Sequence, residues 1–319
     1  MKVAYTIPMF SQECTGMYAR FHDVIHTLQA MDDPPWDYVI VPLRRYYGKP
    51  SPKVLFQPGR ASARFLNYLQ NVARASREAD IVHIIQGDFP YSMLVPFIIR
   101  KPKPIVAGPN VIRVGINPEW IIHKQGEFDS RYQEILVRLG LSIHSWNRLV
   151  FHRKSPFSAY FERILVFKGY YPLGLELGGM EQRKLEVLPS GVRTDIFQPA
   201  GEKIDFPSDF SILYVGDARR LYLKGFDIFV AAMSGLRDKG VPFRAYVLGR
   251  TNTETEKLIE DHGLSEQVEL LGTVPRARLG AYYRGADVYV CPSRYEADST
   301  TATESLACGT PVIGTDIPG

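Results

Sequence analysis

Cysteine is scarce in this sequence of 319 residues. The three cysteines, Cys14, Cys291 and Cys308, lie far apart and do not have the spacing of metal ligands. Two of them lie in one apolar segment, where we expect them to be small core residues, and this usage fits a reducing compartment. No Asp-x-Asp motif follows a predicted strand. We therefore expect no metal site and no resident cofactor.

The sequence also lacks long apolar runs. No stretch approaches the roughly 20 apolar residues that span a bilayer. The opening MKVAYTIPMF is too short and too lightly charged for a secretory signal and is typical of a first strand. With 45% hydrophobic and 23% charged residues, the composition is that of a soluble globular protein, for which we expect a cytoplasmic location. A chain of this length can form two domains of ordinary size.

Charge is distributed unevenly along the chain, although the net charge is only +4. Residues 1–200 hold 25 Lys and Arg against 17 Asp and Glu, whereas residues 201–319 hold 13 against 17. Basic clusters in the first part lie at residues 44–47, 100–103 and 152–154. Such clusters can contact an anionic membrane surface or an anionic acceptor, or they can be ordinary solvated loops. Nothing in the pattern suggests a nucleic-acid partner.

Predicted strands alternate with predicted helices through the whole chain, which indicates two doubly wound parallel sheets of the α/β class. The polar, Pro- and Gly-rich stretch 198–209 is the predicted linker, so we expect domains at residues 1–199 and 200–319. The predicted strands lie at residues 3–7, 38–41, 81–85, 104–107, 164–167, 185–188, 212–215, 245–248, 268–271, 288–291 and 312–315. The predicted helices lie at residues 17–29, 61–77, 91–99, 226–237, 254–262, 275–283 and 301–308.

The segment of residues 288–319 combines a strand, a polar loop, a short helix and a second strand. Three hydroxyl residues, Ser299, Thr300 and Thr301, stand where the helix begins, and such side chains cap the free N–H groups of a first turn. In a parallel sheet this loop lies at the carboxyl end of the strand, where ligands bind. The N-terminus of a helix there favours phosphate. The segment therefore predicts a phosphate site.

Two carboxylates flank that predicted phosphate site. Glu296 lies in the loop, and Glu304 lies about one turn inside the helix. Carboxylates accept hydrogen bonds from paired sugar hydroxyls, so a phosphate site between them suggests a sugar nucleotide. The alternative from these residues alone is a solvated helix face with an acidic loop.

The loop of residues 216–225 follows the first strand of the second half and is basic. Departure of a nucleoside diphosphate develops negative charge, which fixed cations can stabilise when no metal is present. Arg219, Arg220 and Lys224 are candidates, and a solvated basic loop is the alternative. Gly216, Gly249 and Gly272 each follow a predicted strand, and glycine allows a ligand to approach the backbone.

The stretch PSRYEADSTTATESLACGTPVIGTD resembles the donor-binding signature of the family 4 retaining glycosyltransferases, which have the two-domain GT-B fold. That signature has a Pro-Ser pair, a Glu, seven further residues, a second Glu, and a small-residue helix ending in Cys-Gly-Thr-Pro-Val. Residues 216–225 are similar to the Gly-Arg and Lys-Gly element of the family, although the spacing is about two residues longer. Weaker resemblance extends over most of the chain.

The resemblance implies metal-independent transfer of a sugar, with retention, from a nucleoside-diphosphate-sugar to a glycan, lipid-linked or small-molecule acceptor. By resemblance, Lys224 and either Arg219 or Arg220 contact the diphosphate, Glu304 binds the ribose, and Glu296 binds the transferred sugar. The remaining donor-side residues are Gly216, Gly249, Ser299, Thr300 and Thr301. The two domains are expected to face one another across a cleft.

On the acceptor side, Gly16 lies in the loop that faces the cleft in the family. Asn110 stands near the position of a histidine in many members, and we expect proximity to the sugar without an acid–base role. From the residues alone, Asn110 is equally typical of a turn after Gly-Pro. The basic first domain suggests peripheral contact with the inner face of a membrane.

Two departures from the family affect the interpretation. Ala297-Asp298-Ser299 replaces the common Gly-Phe-Gly after the first Glu, which leaves the donor sugar open. The sequence ends shortly after the predicted strand 312–315, whereas family members continue, so we expect an incomplete second domain. The competing function is a sugar-nucleotide binding protein of the same fold with weak catalytic activity, while the signature of the GT-B epimerases is not found.

Overall fold

The computed structural model describes residues 1–10, 19–46, 52–56, 61–85, 91–99, 103–108, 151–168, 179–296 and 298–317. The chain divides into two compact units, residues 1–189 and residues 190–319. This division falls earlier in the chain than the predicted boundary between residues 199 and 200. Each unit contains one parallel sheet.

The sheet of the first unit has six strands, and an α-helix follows each of the first three, as predicted. The strands are β1 (Lys2–Phe10), β2 (Asp37–Tyr46), β3 (Ile81–Ile84), β4 (Ile105–Ala107), β5 (Arg163–Val166) and β6 (Leu185–Val187). The helices are α1 (Ala19–Ala30), α2 (Ala61–Glu78) and α3 (Tyr91–Ile98). The spatial order is β2-β1-β3-β4-β5-β6, with every pair parallel.

β1 and β2 run further than predicted, because a proline interrupts each apolar run without ending the strand. Beyond a register shift after Ile7, Met9 and Phe10 still pair with β2. β2 is an edge strand, and an edge strand can accommodate Pro42 because one side of its backbone needs no ladder partner.

His83 lies in β3, and its Nε2 is 2.9 Å from the Gly108 carbonyl oxygen. Its ring centroid is 5.5 Å from that of Tyr5, whose hydroxyl accepts a hydrogen bond from the Trp36 indole. Burial lowers the pKa of His83 from 6.5 to about 4, although the bond to Gly108 opposes this change. The fold therefore favours the neutral imidazole.

The free energy of unfolding of the first unit is expected to fall by about 2 kcal/mol between pH 7 and pH 5 because of His83. Below pH 6.5 His83 is protonated in the unfolded chain, whereas in the folded chain it stays neutral down to about pH 4. Stability is therefore lost as the pH falls through this window. All three tryptophans, Trp36, Trp120 and Trp146, lie in residues 1–189, so tryptophan fluorescence in urea measures this unit alone.

His83→Gln removes the titrating ring and keeps a donor for Gly108. This variant should lose most of the difference in stability between the two pH values. An equal loss in the variant and the natural chain would assign the effect to other groups.

The sheet of the second unit has five parallel strands, whose bounds agree with prediction to within one residue. These are β7 (Ser211–Val215), β8 (Arg244–Leu248), β9 (Val268–Gly272), β10 (Val288–Cys291) and β11 (Val312–Gly314). The helices are α4 (Phe226–Asp238), α5 (Thr253–Asp261), α6 (Arg276–Gly285) and α7 (Thr300–Ala307). The spatial order is β11-β10-β7-β8-β9.

Both faces of this sheet are buried, because alternate residues of each central strand enter different apolar clusters. Tyr214 packs with Phe226 and Phe229 of α4 on one face. Leu213 packs on the other face with Tyr283 and further aromatic residues. The two parallel sheets confirm the predicted doubly wound α/β architecture.

The stretch 198–209 packs against the second unit, so its prediction as an interdomain linker is wrong. The Ile204 N–H donates to the Ala281 carbonyl, and the Arg284 guanidinium donates to the carbonyl of Gln198. The Phe206 ring stacks on Tyr246 with centroids 4.1 Å apart. Composition alone suggested a loop, whereas these contacts attach the stretch to one sheet face.

Among the helices that the structure describes, none has both the length and the apolar character needed to cross a membrane.

Candidate functional site

The order of strands in the second sheet reverses between β7 and β10. β8 and β9 extend the sheet on one side of β7, and β10 and β11 extend it on the other. Loops after β7 and β10 therefore leave from adjacent carboxyl ends and diverge to opposite faces. Open α/β sheets bind ligands at such a switch point. The loops of residues 216–225 and 292–299 lie there.

The glycines at the ends of β7, β8 and β9 lie side by side and are joined by backbone hydrogen bonds. The Gly216 N–H donates to the Leu248 carbonyl at 2.9 Å, and the Gly249 N–H donates to Gly272 at 2.8 Å. Gly249 has φ +139°, and a β-carbon there would lie 1.7 Å from the Gly216 carbonyl oxygen. Only glycine fits this close approach, so the backbone edge beside the switch point is free of side chains at this position.

The two loops of the switch point touch each other through their backbones. Gly225 has φ +62°, and a β-carbon on it would lie 1.8 Å from the Pro292 carbonyl oxygen. The Arg294 N–H donates to the Leu223 carbonyl at 3.1 Å. The loop after β7 is thereby fixed against the loop after β10.

A charge pair joins the same two loops. The Lys224 Nζ donates to the Glu296 Oε1 at 2.7 Å, and the Ser293 hydroxyl donates to the same oxygen at 2.7 Å. The side chains are 29% and 14% exposed, respectively. A cation and a carboxylate thus stand side by side at the switch point, partly shielded from water, where their charges act more strongly than on an open surface.

A second ion pair, which the sequence did not predict, joins the loop after β10 to α4. The Arg294 guanidinium donates to both oxygens of Asp227 at 2.7 and 2.8 Å. It also lies 4.2 Å from the centroid of the Tyr222 ring. The bond to Asp227 raises the pKa of Arg294. Asp227 in the first turn of α4 suits the helix dipole, and that was its only local signal.

Arg219 is held by a carboxylate of its own loop. Its guanidinium donates to both oxygens of Asp217 at 2.8 Å, and its side chain is 41% exposed. The Arg220 N–H donates to the Asp217 carbonyl, which shapes the turn before Lys224. A diphosphate would have to compete with Asp217 for Arg219.

The cap predicted from the three hydroxyl residues at the start of α7 is not made by the residue at the N-cap position, Ser299. Ser299 occupies the N-cap position, but its side chain makes no cap hydrogen bond. The Ser299 Oγ lies 3.4 Å from the Cys291 Sγ instead. Thr301 also turns inward, and its hydroxyl accepts a hydrogen bond from Tyr289 at 2.8 Å. Both hydroxyls contact side chains of β10. The Ser299 hydroxyl therefore does not bond to the N–H groups of the first turn.

Glu304 is 5% exposed within α7. Its Oε1 accepts a hydrogen bond from the Arg276 Nη2 at 3.0 Å. Arg276 begins α6, and no local feature of the sequence predicts its pairing with Glu304. A buried carboxylate held by a guanidinium is a fixed, charged hydrogen-bond acceptor.

Several predicted features lie outside the described residues or concern metals. Gly16, Asn110 and Ala297 are not among the described residues. Within the described part of the chain, no group of three His, Cys, Asp or Glu side chains could hold a metal ion. Cys291 and Cys308 are buried and not disulfide-bonded, which confirms them as small core residues.

Comparison of the sequence with known families gives one match to the second unit. The family described as glycosyl transferases group 1 matches residues 202–319. A D-inositol 3-phosphate glycosyltransferase from Paenarthrobacter aurescens is 32% identical over 153 residues. That match covers 44% of this chain and 37% of the relative, so the chain aligns with little more than a third of the relative's length.

Solved structures extend the likeness to both units. Sucrose-phosphate synthase from Thermosynechococcus elongatus has a TM-score of 0.68 at 18% identity, covering 100% of this chain and 82% of its own. Anabaena HepE in complex with UDP has a TM-score of 0.62 at 14% identity, with coverage of 100% and 82%. At these identities the likeness concerns the fold alone, and it confirms the GT-B fold.

Proposed function

We propose that this protein is a glycosyltransferase that moves a sugar from a nucleoside-diphosphate-sugar donor to an acceptor, with retention at the anomeric carbon. The observation that carries the proposal is the Lys224–Glu296 pair at the switch point of the second sheet. It offers a cation to a departing diphosphate and a carboxylate to sugar hydroxyls within one small site. The match of residues 202–319 to glycosyl transferases group 1 supports this reading.

The leaving group requires positive charge on the diphosphate side. When the bond between the anomeric carbon and the diphosphate oxygen breaks, charge grows on the phosphate oxygens. Lys224 would meet that charge together with Arg219 or Arg220. The N–H groups of the first turn of α7, around Thr300 and Thr301, would add the positive end of the helix dipole. The UDP bound to HepE supports a nucleotide donor of this kind.

We propose that the acceptor binds the first unit. Residues 1–200 carry an excess of basic residues, which suits an anionic acceptor. The name of the bacterial relative, a D-inositol 3-phosphate glycosyltransferase, supports an acceptor that carries phosphate. Phe97 and Tyr160 are 59% and 45% exposed, and their ring centroids are 5.6 Å apart. Exposed aromatic rings suit peripheral contact with a membrane interface, which we propose for this unit.

Turnover is expected to be independent of divalent metal. Cations of the protein would stabilise the diphosphate, so EDTA should leave the rate within about twofold. The experiment identifies co-purifying ligands by mass spectrometry and then measures hydrolysis and transfer over a panel of sugar nucleotides, with and without EDTA. Loss of activity in EDTA that magnesium or manganese restores would contradict the metal-free site. Binding without turnover of any donor would favour a sugar-nucleotide binding protein instead.

Glu304→Ala is expected to weaken binding of the nucleoside diphosphate by about 1–3 kcal/mol, because it removes a charged acceptor from the ribose hydroxyls. Calorimetry on the folded variant measures the effect. Glu260→Ala, an exposed glutamate of α5, is the matched control and should bind like the natural chain. Unchanged affinity of the Glu304 variant would remove the ribose role.

A further inference from the structure

An ion pair between Arg276 and Glu304 joins α6 to α7. The Arg276 Nη2 donates to Glu304 Oε1 at 3.0 Å, with the side chains 22% and 7% exposed. The two residues are 28 positions apart and lie on different helices. Removal of either partner would leave a charge with little water around it.

By local preference alone, the first turn of a helix is an unfavourable place for Arg276. It is the first residue of α6, and the first turn of that helix contains no acidic residue. The N-terminus of a helix carries partial positive charge, which repels a guanidinium. Departures from local preference are expected mainly at functional or strained sites.

Neighbours on other sides restrict the guanidinium further. Its Cζ lies 5.7 Å from the centroid of the Phe197 ring, and Phe197 is fully buried. Its charge also reaches Asp195, whose pKa is lowered chiefly by the hydrogen bond from Arg193 and additionally by Arg276. The guanidinium is thus held by contacts with both Phe197 and Glu304.

We infer that Arg276 is a positioning residue of the donor site, which holds the Glu304 carboxylate in the orientation that accepts the ribose hydroxyls of a nucleoside diphosphate. The inference rests on the ribose role proposed above for Glu304. A carboxylate has about four acceptor positions, and the bond from Arg276 uses one of them on Oε1. Fixing the carboxylate before the ligand arrives reduces the ordering that binding would otherwise require.

A pair that only fastens α6 to α7 would behave differently from a positioning pair. Loss of a structural pair lowers the melting temperature and weakens every nucleotide by the same factor. Loss of a positioning pair weakens only those ligands that present ribose hydroxyls to Glu304. The ribose itself therefore separates the two roles.

The experiment measures, by calorimetry, the affinity of the whole chain for UDP, GDP and ADP, and then compares the tightest binder with its 2′,3′-dideoxy analogue. Arg276→Met should weaken the natural nucleotide about tenfold and leave the dideoxy analogue within about twofold. Arg276→Lys should recover part of the loss, because it restores a charge without the planar fork. Arg278→Met is the matched control on the same helix, since Arg278 is exposed and pairs only at 3.4 Å with the exposed Glu202; it should change neither affinity.

The other possible results distinguish failure of the positioning role of Arg276, of the ribose role of Glu304 and of the proposed function. If Arg276→Met weakens both ligands equally, or weakens neither, the positioning role is overturned while Glu304 keeps its own. If the natural chain binds the nucleotide and its dideoxy analogue equally, the ribose role of Glu304 fails and the inference falls with it. If Arg276→Met does not fold, the same comparison with Arg276→Lys decides the question. Failure of every nucleotide to bind the natural chain would overturn the proposed function itself.

Discussion

Lys224→Ala is expected to lower kcat by about 100- to 1000-fold while changing the affinity for the donor by less than about tenfold. The reason is that negative charge on the diphosphate is larger in the transition state than in the bound donor, so a fixed cation contributes most when the bond breaks. The Lys224 Nζ is held 2.7 Å from the Glu296 Oε1, which fixes its position at the switch point. Steady-state and single-turnover kinetics with the preferred donor measure the two effects separately.

The controls for this prediction concern charge and folding. Lys257→Ala removes an exposed lysine from α5 and should turn over like the natural chain. Lys224→Arg keeps the charge but changes its shape, so an intermediate rate is expected. Lys224→Ala also leaves Glu296 without its cation, so its melting temperature must be measured before the rate is interpreted. Weaker donor binding at an unchanged kcat would show that Lys224 acts on the ground state only.

Gly225→Ala is expected to lower the free energy of unfolding of the second unit by at least about 3 kcal/mol and to abolish turnover. Alanine at the φ of +62° would cost about 1–2 kcal/mol by itself. The added β-carbon would also lie 1.8 Å from the Pro292 carbonyl oxygen, which belongs to backbone and cannot rotate away. The loops after β7 and β10 would have to separate, and Lys224 would move from Glu296.

Gly240→Ala separates the two causes of that loss. Gly240 has a similar φ of +69°, but a β-carbon there would meet nothing within 4 Å. Its replacement should therefore cost only the conformational energy of about 1–2 kcal/mol and leave turnover unchanged. Urea denaturation followed by far-UV circular dichroism, with tryptophan fluorescence to monitor the first unit, measures both variants. Equal costs would mean that the contact between Gly225 and Pro292 is easily relieved.

Local sequence patterns were sufficient for the architecture of the second unit. Short apolar runs closed by glycine, such as the run before Gly216, predicted its strands, because a strand buried on both faces is apolar throughout. The spacing of Glu296 and Glu304 located the candidate site. The stretch 198–209 was misread because its composition is that of a loop, and its attachment depends on distant residues such as Tyr246.

The partners of the charged residues could not be predicted from local pattern. Lys224 and Glu296 are 72 positions apart, and Arg294 and Asp227 are 67 apart, so their pairing depends on the order of the strands. Ser299 was expected to cap α7 because serine commonly does so, but the Cys291 thiol lies within reach of its hydroxyl. Which contact a side chain makes is decided by packing, which sequence spacing does not describe.

The reversal of strand order in the second sheet also determines when the candidate site can form during folding. β7, β8 and β9 are neighbours both in the sequence and in the sheet. The other edge of β7 pairs with β10, which comes later in the sequence than β8 and β9. Pairing β10 with β7 closes a long loop, and the loss of chain entropy precedes the favourable contacts, which slows folding. Until β10 pairs, the exposed edge of β7 can pair with other chains and aggregate. Lys224 can pair with Glu296 only when β10 has paired with β7. A nucleotide that binds both loops would therefore stabilise the complete sheet relative to states in which β10 is unpaired.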